Sequence, residues 1–208
     1  MLLQDIQERL DANCGKANSD FGLPSPANAR TELERELLKY DPVAEANKVA
    51  TARASLTWTD EMEAIYRAVV AHLDANTGDV MFILGKAGVG KTTLNRILLS
   101  ECRSRGSIGL VCAPTALAAS LYASGMTCHE ACKLSIVEDE QWDEYTSFLQ
   151  KFPSRRELLQ DCRLLIIDEV FNLHRGNYQA MISALKTTRN STHPSAGMII
   201  VCSGDIHQ

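Results

Sequence analysis

VMFILGKAGVGKTT, residues 80–93, runs five apolar residues straight into a glycine-spaced loop that ends in Lys91, Thr92 and Thr93. A short continuous apolar run suits a strand covered on both faces of a parallel sheet. The loop satisfies G-x-x-x-x-G-K-[ST] with Gly85, Gly90, Lys91 and Thr92. Glycines are needed there because the backbone must wrap around a phosphate and turn its N–H groups inward, where side chains would block the approach. A helix starting near Lys91 then adds its positive N-terminal end. Gly85, Lys86, Ala87, Gly88, Val89, Gly90, Lys91, Thr92 and Thr93 are therefore expected to cradle the phosphates of a nucleotide. Lys91 is expected on the β and γ phosphates and the Thr92 hydroxyl on Mg²⁺. The plainer alternative, a glycine-rich turn with a solvated lysine, leaves the strand before the loop unexplained.

Working outward, similar apolar runs recur at Ile108–Cys112 (IGLVC), Leu164–Ile167 (LLII) and Met198–Cys202 (MIIVC), with helical or polar stretches between them. Strands alternating with helices describe an α/β fold with a parallel β-sheet sandwiched by helices. Upstream, Met62, Ile65, Val69 and Leu73 repeat at helical spacing with Thr59 or Asp60 available as N-cap, and ANTGD makes the turn into the first strand. Residues 1–55 differ in character: Leu2, Leu3, Ile6 and Leu10 follow helical spacing, FGLPSP is a loop, and Leu33, Leu37 and Tyr40 suggest a second short helix. The expected division is a leader region over 1–55 and a nucleotide-binding domain over 56–208.

LLIIDEV places Asp168 and Glu169 directly after four apolar residues, at the carboxyl end of a strand, where open α/β sheets bind ligands. Beside a phosphate-binding loop, Asp168 is expected to hold Mg²⁺ through water and Glu169 to orient and deprotonate an attacking water. A GTPase would carry a guanine-reading N-K-x-D, absent here, and the acid pair favours hydrolysis over phosphotransfer. ATP is the expected nucleotide.

The bulk properties bound these readings. At 208 residues, 45% hydrophobic and 23% charged, the chain has room for one well-buried core and composition gives no case for global disorder. Its net charge of −5 offers no basic field, so nucleic-acid contact would come from a local surface. The N-terminus carries Asp5 and Glu8 where a signal core would be apolar, and no apolar run approaches membrane-spanning length, so neither secretion nor membrane insertion is expected. Seven cysteines are scattered, and Cys112, Cys162 and Cys202 lie in or beside apolar runs, as buried thiols do; a reducing compartment, nucleus or cytosol, follows. Cys128, His129 and Cys132 lack a fourth ligand and the paired spacing of zinc sites.

Three further segments resemble the Pif-type DNA helicases of superfamily 1, relatives of the RecD helicases. APTALAASLYASGMTCH is similar to the family's A-x-T-G-x-A-A followed by G-x-T-x-H, with Thr115, Ala118, Ala119, Gly125, Thr127 and His129 in matching places. SGDIHQ resembles G-D-x-x-Q, and DEVFNL resembles D-E-x-S-M. Together these motifs cover about Thr57 to Gln208. The resemblance implies a RecA-like P-loop NTPase domain using ATP and Mg²⁺, with Lys91, Asp168, Glu169 and Gln208 catalytic. It further implies Asp205 and Gln208 sensing the γ-phosphate, and Thr115, Thr127 and His129 facing single-stranded DNA. The leader, LLQDIQERLDANCGKANSDFGLPSP with KYDP beyond it, resembles the segment preceding the motor in helicases of Helitron-type rolling-circle transposons.

The departures from the pattern matter too. Met62 stands where the family has an adenine-reading Gln, and Ala116 replaces the Gly of its T-G pair. The sequence stops at Gln208, ahead of the second RecA-like domain that in the family supplies the arginine finger and half of the DNA path. Thr115 could equally cap a helix, and His129 could be a core histidine. Trp142 and Tyr145, in the acidic stretch VEDEQWDEY, suit packing better than base stacking. Two rival readings stay open: a P-loop ATPase acting on a non-DNA partner, and a non-enzymatic nucleotide-binding relic.

Overall fold

The computed structural model describes residues 3, 6–7, 9–10, 18–24, 30–55, 57–135 and 146–206. Gln208, Trp142, Tyr145 and Leu2, the first residue of the expected N-terminal helix, lie outside them. Five strands, β1 (Asp79–Leu84), β2 (Ile108–Ala113), β3 (Met126–Thr127), β4 (Cys162–Ile167) and β5 (Ile199–Gly204), form one sheet in the order β1-β5-β4-β2-β3. Every pairing is parallel, so all the carboxyl ends lie along one edge.

The helices follow in chain order: α1 (Glu32–Leu37), α2 (Pro42–Arg53), α3 (Asp60–Ala75), α4 (Lys91–Ser104), α5 (Ala116–Ala119), α6 (Cys128–Cys132), α7 (Pro153–Asp161) and α8 (Arg175–Thr188). Period-two alternation along the central strands feeds two apolar clusters. Leu164, Ile166, Ile199 and Val201 face the side covered by α2, α3 and α4, where Val49, Val69, Leu94 and Leu98 pack. Leu165, Ile167, Ile200 and Cys202 face the opposite side, covered by α6, α7 and α8. Burying one such side chain contributes about 1.5–3 kcal/mol, so both faces of β4 and β5 are strongly committed to their register.

The first strand departs from expectation. β1 is not covered on both faces: it pairs only with β5 among the described residues, and Phe82 and Leu84 are more than half exposed while Ile83 is buried. An edge position leaves one side of its pleat without a covering helix. The two-residue β3 had no signature, being too short for alternation to register.

α3 begins at Thr59, whose hydroxyl accepts from the Met62 N–H, and Val69 and Tyr66 form its buried stripe. α1 is capped by Thr31 and Glu34 reciprocally; Leu33 packs against the core while Leu37 is exposed, so the apolar spacing located the helix better than its inner face. Arg103 of α4 ties this leader down, its guanidinium 3.7 Å from the Tyr40 ring centre and 3.6 Å from Glu36. Cys112, Cys162 and Cys202 are buried free thiols, and burial pushes Cys162 and Cys202 up to about 12, which keeps them protonated and unreactive. No helix among the described residues is long and apolar enough to cross a membrane.

Candidate functional site

The motif residues meet because each follows a strand at the same edge of the sheet: Gly85 after β1, Thr115 after β2, Asp168 after β4 and Asp205 after β5. The loop after β1 turns at Gly88 and Gly90, both with left-handed backbone, φ +83° and +95°. At Gly90 a side chain would also strike its neighbour, since a Cβ there would stand 2.4 Å from Met62 Cε. Gly90 is the N-cap of α4 and supplies no side-chain cap, so the first N–H groups of this helix are available to an anion. The Lys91 ammonium bridges the carbonyls of Gly85 (2.6 Å) and Lys86 (3.0 Å), closing the loop on itself. Lys91 and Thr92 are half-buried at the head of α4, and Lys86, Ala87, Gly88, Val89 and Thr93 are exposed around them.

Asp168 is 1% exposed. Its Oδ2 accepts from the Tyr122 hydroxyl at 2.5 Å and its Oδ1 from the Ser203 hydroxyl at 2.6 Å. Asn95, fully buried on α4, donates to both of those hydroxyls, at 3.0 Å to Tyr122 and 2.7 Å to Ser203. Burial, and then the bond to Asp168, raise the Tyr122 phenol well above its ordinary value, so it stays a neutral donor. These four side chains form one closed polar cluster inside the apolar interface between sheet and helices.

Asp168 has no Lys, Arg or His paired with it among the described residues. A buried carboxylate held only by neutral donors is costly unless a cation balances it. Together with the Thr92 hydroxyl in the first turn of α4, the candidate donors are all hard oxygens, the set that suits Mg²⁺. The residues present therefore fit that ion. Cys128 and Cys132 are buried instead in the apolar cluster, Cys128 with its sulfur 3.6 Å from that of Cys112.

Glu169 takes a left-handed backbone, φ +52°, immediately after the strand. Such a conformation costs a residue with a side chain about 1–3 kcal/mol and persists only where the surroundings enforce it. The Glu169 carboxylate is half-buried and has no protein partner among the described residues. Asp205 is buried at the end of β5, and Gly204 lends its carbonyl to the Gly85 N–H at 3.3 Å, linking that strand end to the phosphate loop.

Of the residues expected to face DNA, Thr115 caps α5 through the Ala118 N–H and Thr127 caps α6 through the Glu130 N–H, while the His129 ring is half-buried. Capping fixes the local backbone and occupies both hydroxyls as acceptors. Sequence reasoning missed Asn95, Tyr122 and Ser203. The available signal was Asn95 itself, an amide on the apolar stripe of α4 between Leu94 and Ile97.

Beside the phosphate loop lies a cavity of about 190 Å³ lined by Thr57, Trp58, Thr59, Met62, Gly90 and Thr93. A wider one, about 590 Å³ and lined in part by Arg35, Lys39, Lys133 and Arg155, lies between α1, α6 and α7 and includes none of the motif residues above.

Comparison with known proteins places this arrangement among relatives. Residues 57–208 match the family model described as PIF1-like helicase. Over 133 residues the chain is 32% identical to the ATP-dependent DNA helicase Pif1 of Psychrobacter sp. (strain PRwf-1), covering 64% of this chain and 20% of that protein. It is similar to Bacteroides Pif1 bound to single-stranded DNA, with TM-score 0.58 and 30% identity, covering 72% of this chain and 32% of that one. A Bacteroides sp. Pif1 structure in complex with ADP-AlF4 gives TM-score 0.54 and 28% identity over the same shares. The chain thus spans about a fifth of the curated relative and about a third of the solved proteins.

Proposed function

The chain belongs to the PIF1-like helicase family, and from that premise we propose that it is the ATP-binding motor portion of an ATP-dependent DNA helicase. The observation that carries this reading is the gathering of the phosphate loop, the Asp168–Glu169 pair and Asp205 at one edge of a parallel sheet, with Asp168 buried and without a Lys, Arg or His partner among the described residues. ATP would lie with its phosphates in the Gly85–Thr93 loop, against the N–H groups of α4 and the Lys91 ammonium. Thr92 and Asp168 would hold Mg²⁺, which when bound neutralises charge developing on the phosphate oxygens. The Glu169 carboxylate, without a protein partner among the described residues, would accept a proton from an attacking water. Asp205 and Gln208 would respond to the γ-phosphate.

Single-stranded DNA is the proposed partner, tracked 5′ to 3′ by resemblance, with Thr115, Thr127 and His129 on the strand-facing side and the Helitron-like branch as the proposed placement. A second RecA-like lobe would complete the site, and repair, recombination or transposition in the nucleus is the proposed setting. Two lobes are needed because grip on the strand must alternate as they close on ATP and open after hydrolysis.

Calorimetric titration with Mg²⁺-ATP tests the nucleotide site: Lys91→Ala should bind more weakly, and equal affinities would overturn the assignment. A strand-displacement assay on a tailed duplex tests the rest. A version carrying both lobes should unwind with DNA-stimulated hydrolysis. The 208-residue chain alone should not, since a trans-acting arginine finger is worth about 10³–10⁵ in kcat. Unwinding by the 208-residue chain would overturn the two-lobe account.

A further inference from the structure

The residue that holds the metal-site carboxylate belongs to neither nucleotide motif. Tyr122 lies between α5 and β3, yet its hydroxyl is the meeting point of the nucleotide side: it donates to Asp168 Oδ2 and accepts from Asn95 of α4, the helix that begins at the phosphate loop. Its ring is buried in the cluster beneath α4, and the Arg96 guanidinium stands 5.9 Å from the ring centre while donating to the Leu121 carbonyl.

The backbone around Tyr122 has little freedom to move alone. The Gly125 N–H bonds the Tyr122 carbonyl at 3.1 Å, and a Cβ on Gly125 would stand 2.1 Å from the Ala119 carbonyl oxygen. On the leader side, the Tyr40 hydroxyl meets Ser124 Oγ at 2.9 Å. A displacement of the Tyr122 ring is therefore passed to the whole stretch from the Thr115 cap to the Thr127 cap.

We propose that Tyr122 is a positioning residue that couples Mg²⁺-nucleotide in the phosphate loop to the Thr115–Thr127 segment by joining Asp168 to Asn95 of the helix that opens at the phosphate loop through one hydroxyl. The inference rests on the nucleotide-site reading given above. A hydroxyl has one proton and two lone pairs. Tyr122 gives its proton to Asp168 Oδ2, whereas Oδ1 accepts from both the Ser203 hydroxyl and the Glu169 N–H, so Oδ2 retains acceptor capacity for metal-bound water. Asn95 Oδ1 is buried without a partner among the described residues, a spare acceptor within the cluster. The tyrosine hydroxyl can thus shift when the metal arrives without orphaning a buried proton.

The test compares the 208-residue chain with Tyr122→Phe, which keeps the ring and removes the hydroxyl, using AMP-PNP with saturating Mg²⁺ and with EDTA. Metal-free affinity should be alike in the two proteins. The strengthening by Mg²⁺ should fall roughly tenfold or more in the variant, as expected for loss of a hydrogen bond to a charged group. Hydrogen exchange should show Mg²⁺-AMP-PNP protecting residues 115–127 in the original chain and not in Tyr122→Phe. Ser203→Ala, which removes the other side-chain bond to Asp168, should keep that protection; equal loss in both variants would mean a purely structural role and overturn the coupling. Absence of Mg²⁺-dependent protection in the unsubstituted chain would overturn it whatever the variants do. If none of the proteins binds AMP-PNP, the nucleotide-site reading itself falls and takes the inference with it.

Discussion

Asn95 and Ser203, 108 positions apart, share a 2.7 Å hydrogen bond in which the Asn95 amide donates to the Ser203 hydroxyl, and both side chains are fully buried. The bond joins the helix that begins at the phosphate loop to β5, the strand that Asp205 follows. Polar groups in an otherwise apolar interface are tolerated only when satisfied. Ser203→Ala would leave Asp168 Oδ1 with the Glu169 N–H alone and the Asn95 amide with Tyr122 alone. The expected loss is about 1–3 kcal/mol, read as a lower urea midpoint with an unchanged slope. An unchanged midpoint would mean that the cluster adds nothing to folding.

Glu169 combines a left-handed backbone with a carboxylate that has no protein partner among the described residues. Acting on water rather than on the nucleotide, it should lower the barrier far more than it strengthens ground-state binding. In a protein carrying both motor lobes, Glu169→Gln should bind ATP as before and turn over at least about a hundredfold more slowly, the lower range for a positioned general base. An undiminished kcat would assign the water to another residue.

Base selectivity should be weak, and Met62 is the reason. Its side chain lines the 190 Å³ cavity beside Gly90, and a thioether cannot make the paired hydrogen bonds by which an amide reads adenine. Two missing hydrogen bonds of about 0.5–1.5 kcal/mol each leave ATP favoured over GTP by roughly tenfold at most. Competition titrations showing a preference above about a thousandfold, some 4 kcal/mol, would require a different adenine-reading group.

Acid should act beside that cavity through Glu63, the partner of its lining residue Trp58. Hydrogen bonds from Arg53, then Trp58 and Arg67, hold its carboxyl down to about 2. With the folded value depressed below the 4.5 of an unperturbed Glu, the contribution is present above pH 4.5 and is lost as pH falls through about 2. Trp58 donates its indole N–H to this carboxylate at 2.9 Å, so its fluorescence should titrate in that window. Glu63→Gln should abolish the transition; its persistence in the variant would assign it to other carboxylates.

The contiguous features were legible in the sequence for a local reason. Four apolar runs located β1, β2, β4 and β5; in β2, β4 and β5 the reason is that a parallel strand buried on both faces must be apolar on both, and the glycines at 88 and 90 announced the left-handed turns that the loop adopts. Thr59 marked the start of α3 because a cap is satisfied within one turn. The exposure of Phe82 and Leu84 was not legible, since an apolar run reads the same at the edge of a sheet as in its centre. The Asp168 cluster was decided by tertiary structure alone. Asn95, Tyr122 and Ser203 lie 73, 46 and 35 positions from Asp168 along the chain, and nothing in their neighbours' chemistry calls for a carboxylate. They meet because the sheet places β5 between β1 and β4, lays α4 across them, and returns the segment after β2 over the end of β4. Side chains far apart in sequence become partners only when strand order is set, and strand order is chosen by how the whole apolar core packs rather than by any local stretch.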